Sequence, residues 1–243
     1  MVKSNELIKK IKSYESPVVP LINFFVSDEI KQMIHWSEIC FANEEGVSTR
    51  LQSDKANNND ITGHPSEPLK SEISAFLKNK FSKIINKDNK LNIEFDVAFH
   101  ANKKPYGIHT DSGYDPNELI YKQGIIPLIN KPINKKTHTV ILRQKCYHSS
   151  SFPNIKEDLK AQKHVEHLDF ESPMSPEVYK TYWEECPERS LQMQGFTIDY
   201  PFEWNINDTV IWDRSHIHCS SDFEATGVNF KLGLMWISRI KQH

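Results

Sequence analysis

Pro105-Tyr106-Gly107-Ile108-His109-Thr110-Asp111 and, further along the chain, Asp208-Thr209-Val210-Ile211-Trp212-Asp213-Arg214-Ser215-His216-Ile217-His218 decide how this sequence folds. On an extended backbone, residues i and i+2 face the same way. His109 and Asp111 therefore present an imidazole and a carboxylate side by side, and Thr110 turns away. The later stretch enters an apolar strand, Val210-Ile211-Trp212, by a tight step at Asp208. It then offers two histidines, His216 and His218, on one strand face. By itself a His-x-Asp is common and suits a surface hydrogen bond between the pair. Joined by one distant histidine, it becomes a set of two imidazoles and one carboxylate on one face of an octahedral metal. That arrangement leaves three adjacent positions, which suits Fe(II) binding a bidentate molecule and dioxygen together.

The flanking sequence supplies the strands of a barrel. Leu91, Ile93, Phe95, Val97 and Phe99 alternate with polar or small residues, the period of a half-buried strand. Gln123 to Ile129, Thr137 to Gln144, Phe196 to Tyr200, Thr209 to Trp212 and Phe230 to Ser238 read as further strands. In the last of these, Leu232, Leu234 and Trp236 share one face, and Lys231, Gly233 and Met235 share the other. A lysine facing a barrel interior calls for an anion, because an unpaired buried charge is very costly.

Helical periodicity dominates the first part of the chain. Glu6 to Ile11 carries Leu7, Ile8 and Ile11 at helical spacing. Pro17 and Pro20 keep Ser16 to Phe25 extended. Ser27 reads as an N-cap, followed by a helix with Ile30, Met33, Ile34, Ser37 and Phe41 on one side. Ser66 reads as the cap of the next helix, with Glu67 and Pro68 in its first turn and Leu69, Ile73, Phe76, Leu77, Ile84 and Ile85 along one face. This helix is expected to lie flat on the outside of a sheet. Asn43 to Pro65 reads as a long loop with at most a short strand near Thr49 to Gln52, and such loops often carry function. Tyr147 to Met193 has a weak pattern, with one helix beginning at Ser175-Pro176-Glu177 and carrying Val178, Tyr179, Tyr182 and Trp183. Helices first and antiparallel strands after define an α+β chain with one main β core.

Composition narrows the class. The 243 residues suit a single domain: a mainly helical flank over 1–90, a β core over 91–146 and 194–243, and an insertion over 147–193. The formal net charge of -2 gives no long-range field for a polyanion, so a nucleic-acid partner is not expected. No stretch approaches the roughly 20 apolar residues that span a bilayer, and Met1 to Lys12 lacks the apolar core of a secretory signal. Cys40, Cys146, Cys186 and Cys219 form no CxxC pair and read as reduced thiols of a cytoplasmic protein. Cys219 faces away from the metal. His164-Val165-Glu166-His167 lacks the HExxH spacing and reads as a solvated helix face. Neither a glycine-rich phosphate loop nor a G-x-S-x-G elbow occurs. Nothing in the pattern specifies an oligomer.

From about Asp96 to Ser238, the order of strands with HxD and a distal histidine resembles the Fe(II)/2-oxoglutarate-dependent dioxygenase superfamily. The resemblance implies a double-stranded β-helix (jelly-roll, cupin-like) core flanked by N-terminal helices, with the insertion as a lid. Members commonly place the distal ligand ten residues after the acidic residue of the entry turn; 208 + 10 = 218 selects His218 over His216. His109, Asp111 and His218 are then the metal ligands. Lys231 matches the basic residue that grips the far carboxylate of 2-oxoglutarate, at a position where arginine is more frequent. The implied cofactors are Fe(II), 2-oxoglutarate and O2, with succinate and CO2 as coproducts. Asp111 argues against the halogenase branch, which lacks the carboxylate.

For the substrate, a small metabolite such as an amino acid is expected. Arg214 and His216 are the substrate-binding candidates nearest the triad. Arg50, Arg143, Arg189, Tyr179, Tyr182 and Trp183 lie in or beside the two lid candidates, Asn43 to Pro65 and Tyr147 to Met193. The competing readings are an oxygenase acting on a protein or nucleobase, a cupin-like metal enzyme indifferent to 2-oxoglutarate, and a barrel that only binds.

Overall fold

Sheet formation follows the alternation in the sequence. In the computed structural model, residues 4–42, 61–88, 90–111, 118–147, 165–166, 168–169, 174–183 and 193–241 are described. The order is α1 (Ser4–Lys12), β1 (Val19–Leu21), α2 (Ser27–Ala42), β2 (Ile61–Gly63), α3 (Leu69–Ile85), β3 (Ile93–Asn102), β4 (Glu118–Lys131), β5 (His138–Cys146), β6 (Val165–Glu166), α4 (Pro176–Trp183), β7 (Ile198–Glu203), β8 (Thr209–Asp213), β9 (His216–Ser220) and β10 (Phe230–Lys241). A six-stranded sheet runs β1-β8-β4-β10-β3-β2. The second sheet is built on β5, whose residues Thr139 to Ile141 pair with β7 on one edge and β9 on the other. Every described pairing is antiparallel.

Each face of the large sheet has its own apolar set. The outer face carries Phe95, Val97, Phe99, Ile126, Leu128, Ile211, Leu232, Leu234 and Trp236 against Met33, Trp36, Ile73, Leu77 and Phe81 of α2 and α3. Phe81 stacks on Trp236 with ring centroids 4.6 Å apart. The helix expected to lie flat on a sheet does so, and β10 divides as its alternation requires. Between the sheets, Ile125, Ile141, Phe202, Trp204, Val210 and Trp212 fill the barrel interior. Outside the small sheet, Val140, Leu142, Ile217 and Cys219 pack with Trp183 of α4, so Cys219 is indeed a packing residue.

Four local readings change, the first being that Val165–Glu166, read as part of a solvated helix face, is the strand β6 paired with Cys146 and Lys145 of β5, with Val165 in the core. Helix α3 starts at Leu69, not at a Ser66 cap. Pro68 occupies the N-cap position with φ −85° and gives no side-chain cap, and the Ser66 carbonyl accepts a hydrogen bond from the Lys70 amide at 2.9 Å. Ile61–Gly63, inside the stretch read as a loop, is a strand paired to Ala101–Phe99 of β3. Three residues are too few to show a period. The strand suggested near Thr49 to Gln52 lies outside the described residues, as do Arg50, Arg189, His164 and His167. Finally, Asp208 to His218 is two strands, β8 in the large sheet and β9 in the small one, joined by a turn at Arg214 and Ser215. This single stretch therefore ties the two sheets together.

Two packing details carry expected results. Gly124 on β4 lies under the Trp236 ring; a Cβ there would stand 2.6 Å from Trp236 Cζ2 and 2.7 Å from the Val210 carbonyl oxygen. The neighbouring strand cannot yield as a side-chain tip could. Gly124→Ala should cost about 1–3 kcal/mol or more, read as a lowered urea midpoint; an unchanged midpoint would contradict this packing.

The second detail is a buried charge network at one end of the barrel. Lys122 of β4 pairs with Asp213 at the end of β8. Asp213 Oδ2 accepts from the Ser16 amide at 3.0 Å and lies 3.5 Å from Lys145 Nζ. Lys145 reaches Glu15 at 2.9 Å, and Glu15 also accepts from Tyr147 Oη at 2.6 Å and Ser215 Oγ at 2.9 Å. The N-terminal segment is thereby fastened across the strands. Asp213→Ala leaves Lys122 buried and without its carboxylate, so it should cost about 3–5 kcal/mol; a thermal midpoint within error of wild type would refute it.

Candidate metal centre

The chain after β3 returns along the free edge of β9. His109 and His218 form an antiparallel bridge, each amide donating to the other's carbonyl at 2.9 Å. The Ser220 amide donates to the Tyr106 carbonyl at 3.1 Å. This pairing is why two segments distant in sequence place their imidazoles together, with ring centroids 4.3 Å apart. Asp111, two residues on, projects from the same side.

The ligand atoms of His109, Asp111 and His218 all lie within 4.8 Å of one another. Asp111 Oδ1 is 3.5 Å from His109 Nε2, and Oδ2 is 3.2 Å from His218 Nε2. The backbone assigns the tautomers: His109 Nδ1 lies 2.7 Å from the Gly107 carbonyl oxygen, and His218 Nδ1 lies 3.3 Å from that of His216. With Nδ1–H donating in each ring, both Nε2 lone pairs turn toward the carboxylate. Asp111 Oδ2 is buried and makes no hydrogen bond. Three electron-pair donors aimed at one point repel one another unless a cation sits among them. The donor set, two imidazole nitrogens and one carboxylate, matches a facial site for divalent iron. Burial works against the charged form of Asp111, but His218 and His109 beside it, when a proton stands on Nε2 in place of a cation, hold its carboxyl well below the usual carboxylate range.

Further into the barrel, the Trp212 ring packs edge-on to His218 with centroids 5.2 Å apart. Lys231 lies on the inner face of β10, paired with Asn102 of β3 and Asn130 of β4. It is 1% exposed, and burial pushes its ammonium well below the ordinary lysine range. Among the described residues no carboxylate stands within ion-pair distance of it. Its neighbours are the rings of Trp204, 3.6 Å from Nζ to the centroid, and Phe223, at 4.9 Å. Trp204 and Phe223 escaped the sequence reading, since both lie in turns where periodicity is silent.

His216 shares the inward face of β9 with His218, and burial, with Lys145 second, pushes its imidazole down to about 3, so it is neutral. Arg214 is buried in the turn between β8 and β9, where Nη1 donates to the Cys146 carbonyl at 3.4 Å. It borders a small cavity with Tyr14, Glu15 and Asp213. Arg143 is exposed. Tyr179, Tyr182 and Trp183 form an aromatic cluster on α4, and Trp183 Nε1 donates to the Ser220 carbonyl at 3.0 Å.

No protein-family model matches the sequence, and no curated protein is similar to it in sequence. Solved structures do share its fold. A prolyl-4-hydroxylase from Pseudomonas putida superposes with a TM-score of 0.51 at 8% identity, over 99% of this chain and 100% of that one. SnoK, a non-haem α-ketoglutarate-dependent carbocyclase from nogalamycin biosynthesis, gives 0.52 at 12% identity, over 96% and 85%. A viral collagen prolyl hydroxylase from Paramecium bursaria Chlorella virus-1, solved with 2-oxoglutarate, gives 0.50 at 10% identity, over 93% and 97%. The chain thus has the α+β double-stranded β-helix fold of these oxygenases, as its sequence implies. No described helix is long and apolar enough to cross a membrane.

Proposed function

We propose that this chain is a non-haem Fe(II)- and 2-oxoglutarate-dependent oxygenase that hydroxylates a small metabolite such as an amino acid. The observation that carries the reading is the convergence of His109 Nε2, Asp111 and His218 Nε2 on one point inside a fold shared with such enzymes. His109, Asp111 and His218 would hold the metal. When bound, Fe(II) and 2-oxoglutarate together supply the activation of dioxygen that hydroxylation requires.

The chain's own residues do the rest. The His109–His218 backbone bridge fixes the two imidazoles. The Gly107 and His216 carbonyls hold them in the ligating tautomer. Lys231 offers the buried positive charge that a dicarboxylate's far end requires. Trp212, packed against His218, and Ile141, paired with it, belong to the apolar interior cluster that would exclude water beside the metal. His216, neutral and on the same strand face as His218, and Arg214 in the adjoining turn are assigned to the substrate side. Lys231 favours this reading over a cupin-like enzyme indifferent to 2-oxoglutarate, for which a fully buried lysine without a described counter-ion would be a cost with no return.

The test is spectroscopic. Anaerobic addition of Fe(II) and then 2-oxoglutarate should produce a weak visible band, and admission of air should consume it. A screen of amino acids and related metabolites for stimulated succinate release then identifies the substrate. No band, together with no stability gain from 2-oxoglutarate at saturating metal, would end the proposal. Stimulation only by peptides or nucleotides would redirect the substrate class.

A further inference from the structure

Lys231 is a fully buried cation that the metal ligands do not explain, and its surroundings are closely defined. Trp204 is held at three points. Its indole Nε1 donates to Thr139 Oγ1 at 2.8 Å. Its backbone amide donates to the Thr137 carbonyl at 2.9 Å. The edge of its ring occupies space that a side chain at position 233 would fill: a Cβ on Gly233 would stand 2.9 Å from Trp204 Cη2. The ring so placed faces the Lys231 ammonium at 3.6 Å, and the fully buried Phe223 stands beyond at 4.9 Å.

We infer that Trp204, locked by Thr139 and given room by Gly233, is the positioning residue that seats the Lys231 ammonium for a dicarboxylate and thereby sets how tightly 2-oxoglutarate binds. This rests on the oxygenase reading above for the identity of the ligand, but not for the seat itself. An aromatic face attracts a cation most strongly where water is excluded. In the ligand-free barrel it is the main group that offsets the cost of the buried charge. The other groups around Lys231 do little of this. Asn102 on β3 and Asn130 on β4 flank it as neutral amides, each with a buried Oδ1 that makes no hydrogen bond, and the Asn130 amide nitrogen is committed to the Lys135 carbonyl at 2.8 Å. On β5, His138 is held below its ordinary range by burial first and in part by Lys231 itself. Its carboxylate neighbour Glu203, 4.0 Å from it, also pairs with Lys136 at 3.1 Å. Without the ring, the lysine would be charged in the empty site over a narrower pH range, and ligand binding would have to draw in a proton.

The experiment compares wild type, Trp204→Phe and Trp204→Leu by anaerobic calorimetric titration of the Fe(II)-loaded protein with 2-oxoglutarate across pH. Trp204→Phe keeps a ring face and should bind within about threefold of wild type, whereas Trp204→Leu should bind about tenfold or more weakly at alkaline pH and recover toward wild type as pH falls. Thr139→Val, which frees the ring and keeps the core volume, should show a smaller loss of the same pH form. Equal loss at every pH, or none, would overturn the inference. A second arm needs no ligand: unfolding midpoints of Trp204→Leu, Lys231→Met and the double variant should be non-additive, and additivity would refute the seat. If wild type binds no 2-oxoglutarate while the cycle is non-additive, the oxygenase reading fails and the seat stands.

Discussion

Asp111→Ala should reduce 2-oxoglutarate turnover to background and, in the same protein, abolish the rise in thermal midpoint that divalent metal gives wild type. The two effects share one cause. Asp111 brings a negative charge into a pocket where burial opposes it, and where its oxygens stand 3.5 and 3.2 Å from imidazole nitrogens. Buried there, the carboxylate is held by the positive charge that stands between it and the two rings, a proton or a metal cation. Alanine removes the only carboxylate of the donor set and, with it, the site's grip on a cation. The measurement is differential scanning fluorimetry with and without divalent metal, beside a succinate assay. Wild type should gain stability from metal and the variant should not. A variant that is both active and metal-stabilised would show that Asp111 is not a ligand, and would sink the metal centre.

Legibility in the sequence followed the reach of each interaction. His109 and Asp111 could be read because two residues on one extended segment must share a face. His218 could be read only through its spacing from Asp208, a relation within one stretch. Lys231 could be read because strand alternation puts Leu232, Leu234 and Trp236 together and leaves the lysine inside. What stayed hidden depends on partners far apart in the chain. Lys122 meets Asp213, and Glu15 meets Lys145, Tyr147 and Ser215; no local pattern marks these as mates. Trp204 finds Thr139 and Gly233 only after two strands have been laid side by side. β2 is too short to show a period, and it exists because the edge of β3 accepts it. The Ser66 cap failed for a different reason. Proline two residues on has a fixed φ and no amide hydrogen, and the helix begins after it.

Lys231→Met should move ligand binding and stability in opposite directions, and by large amounts. Methionine matches the length and most of the volume of lysine, so the cavity term is small. What changes is the charge. The ammonium is 1% exposed, has no described carboxylate within reach, and is partly compensated by Trp204 and Phe223. Replacing a buried charge by a well-packed apolar chain commonly gains about 1–4 kcal/mol. For a domain of this size the ligand-free midpoint should rise by roughly 2–4 °C for each kcal/mol gained. The sign can be checked against pH. Burial lowers the lysine's folded-state value, so between that value and the ordinary lysine range the unfolded chain holds more protons than the folded one. Wild-type stability therefore increases with pH across that window, and the advantage of Lys231→Met should shrink as pH rises from neutral toward 10. Binding goes the other way. A carboxylate entering the barrel loses its hydration and finds no cation, and truncating one partner of such a pair costs about 2–5 kcal/mol. The dissociation constant for 2-oxoglutarate should then increase by about thirtyfold or more, while metal binding at His109, Asp111 and His218 is retained. In wild type, the same lowered value makes 2-oxoglutarate affinity fall as pH rises through it, because the bound form needs the proton that the empty site gives up. A variant that is less stable at neutral pH, yet binds 2-oxoglutarate as wild type does, would mean that Lys231 is a structural residue and that the dicarboxylate is gripped elsewhere.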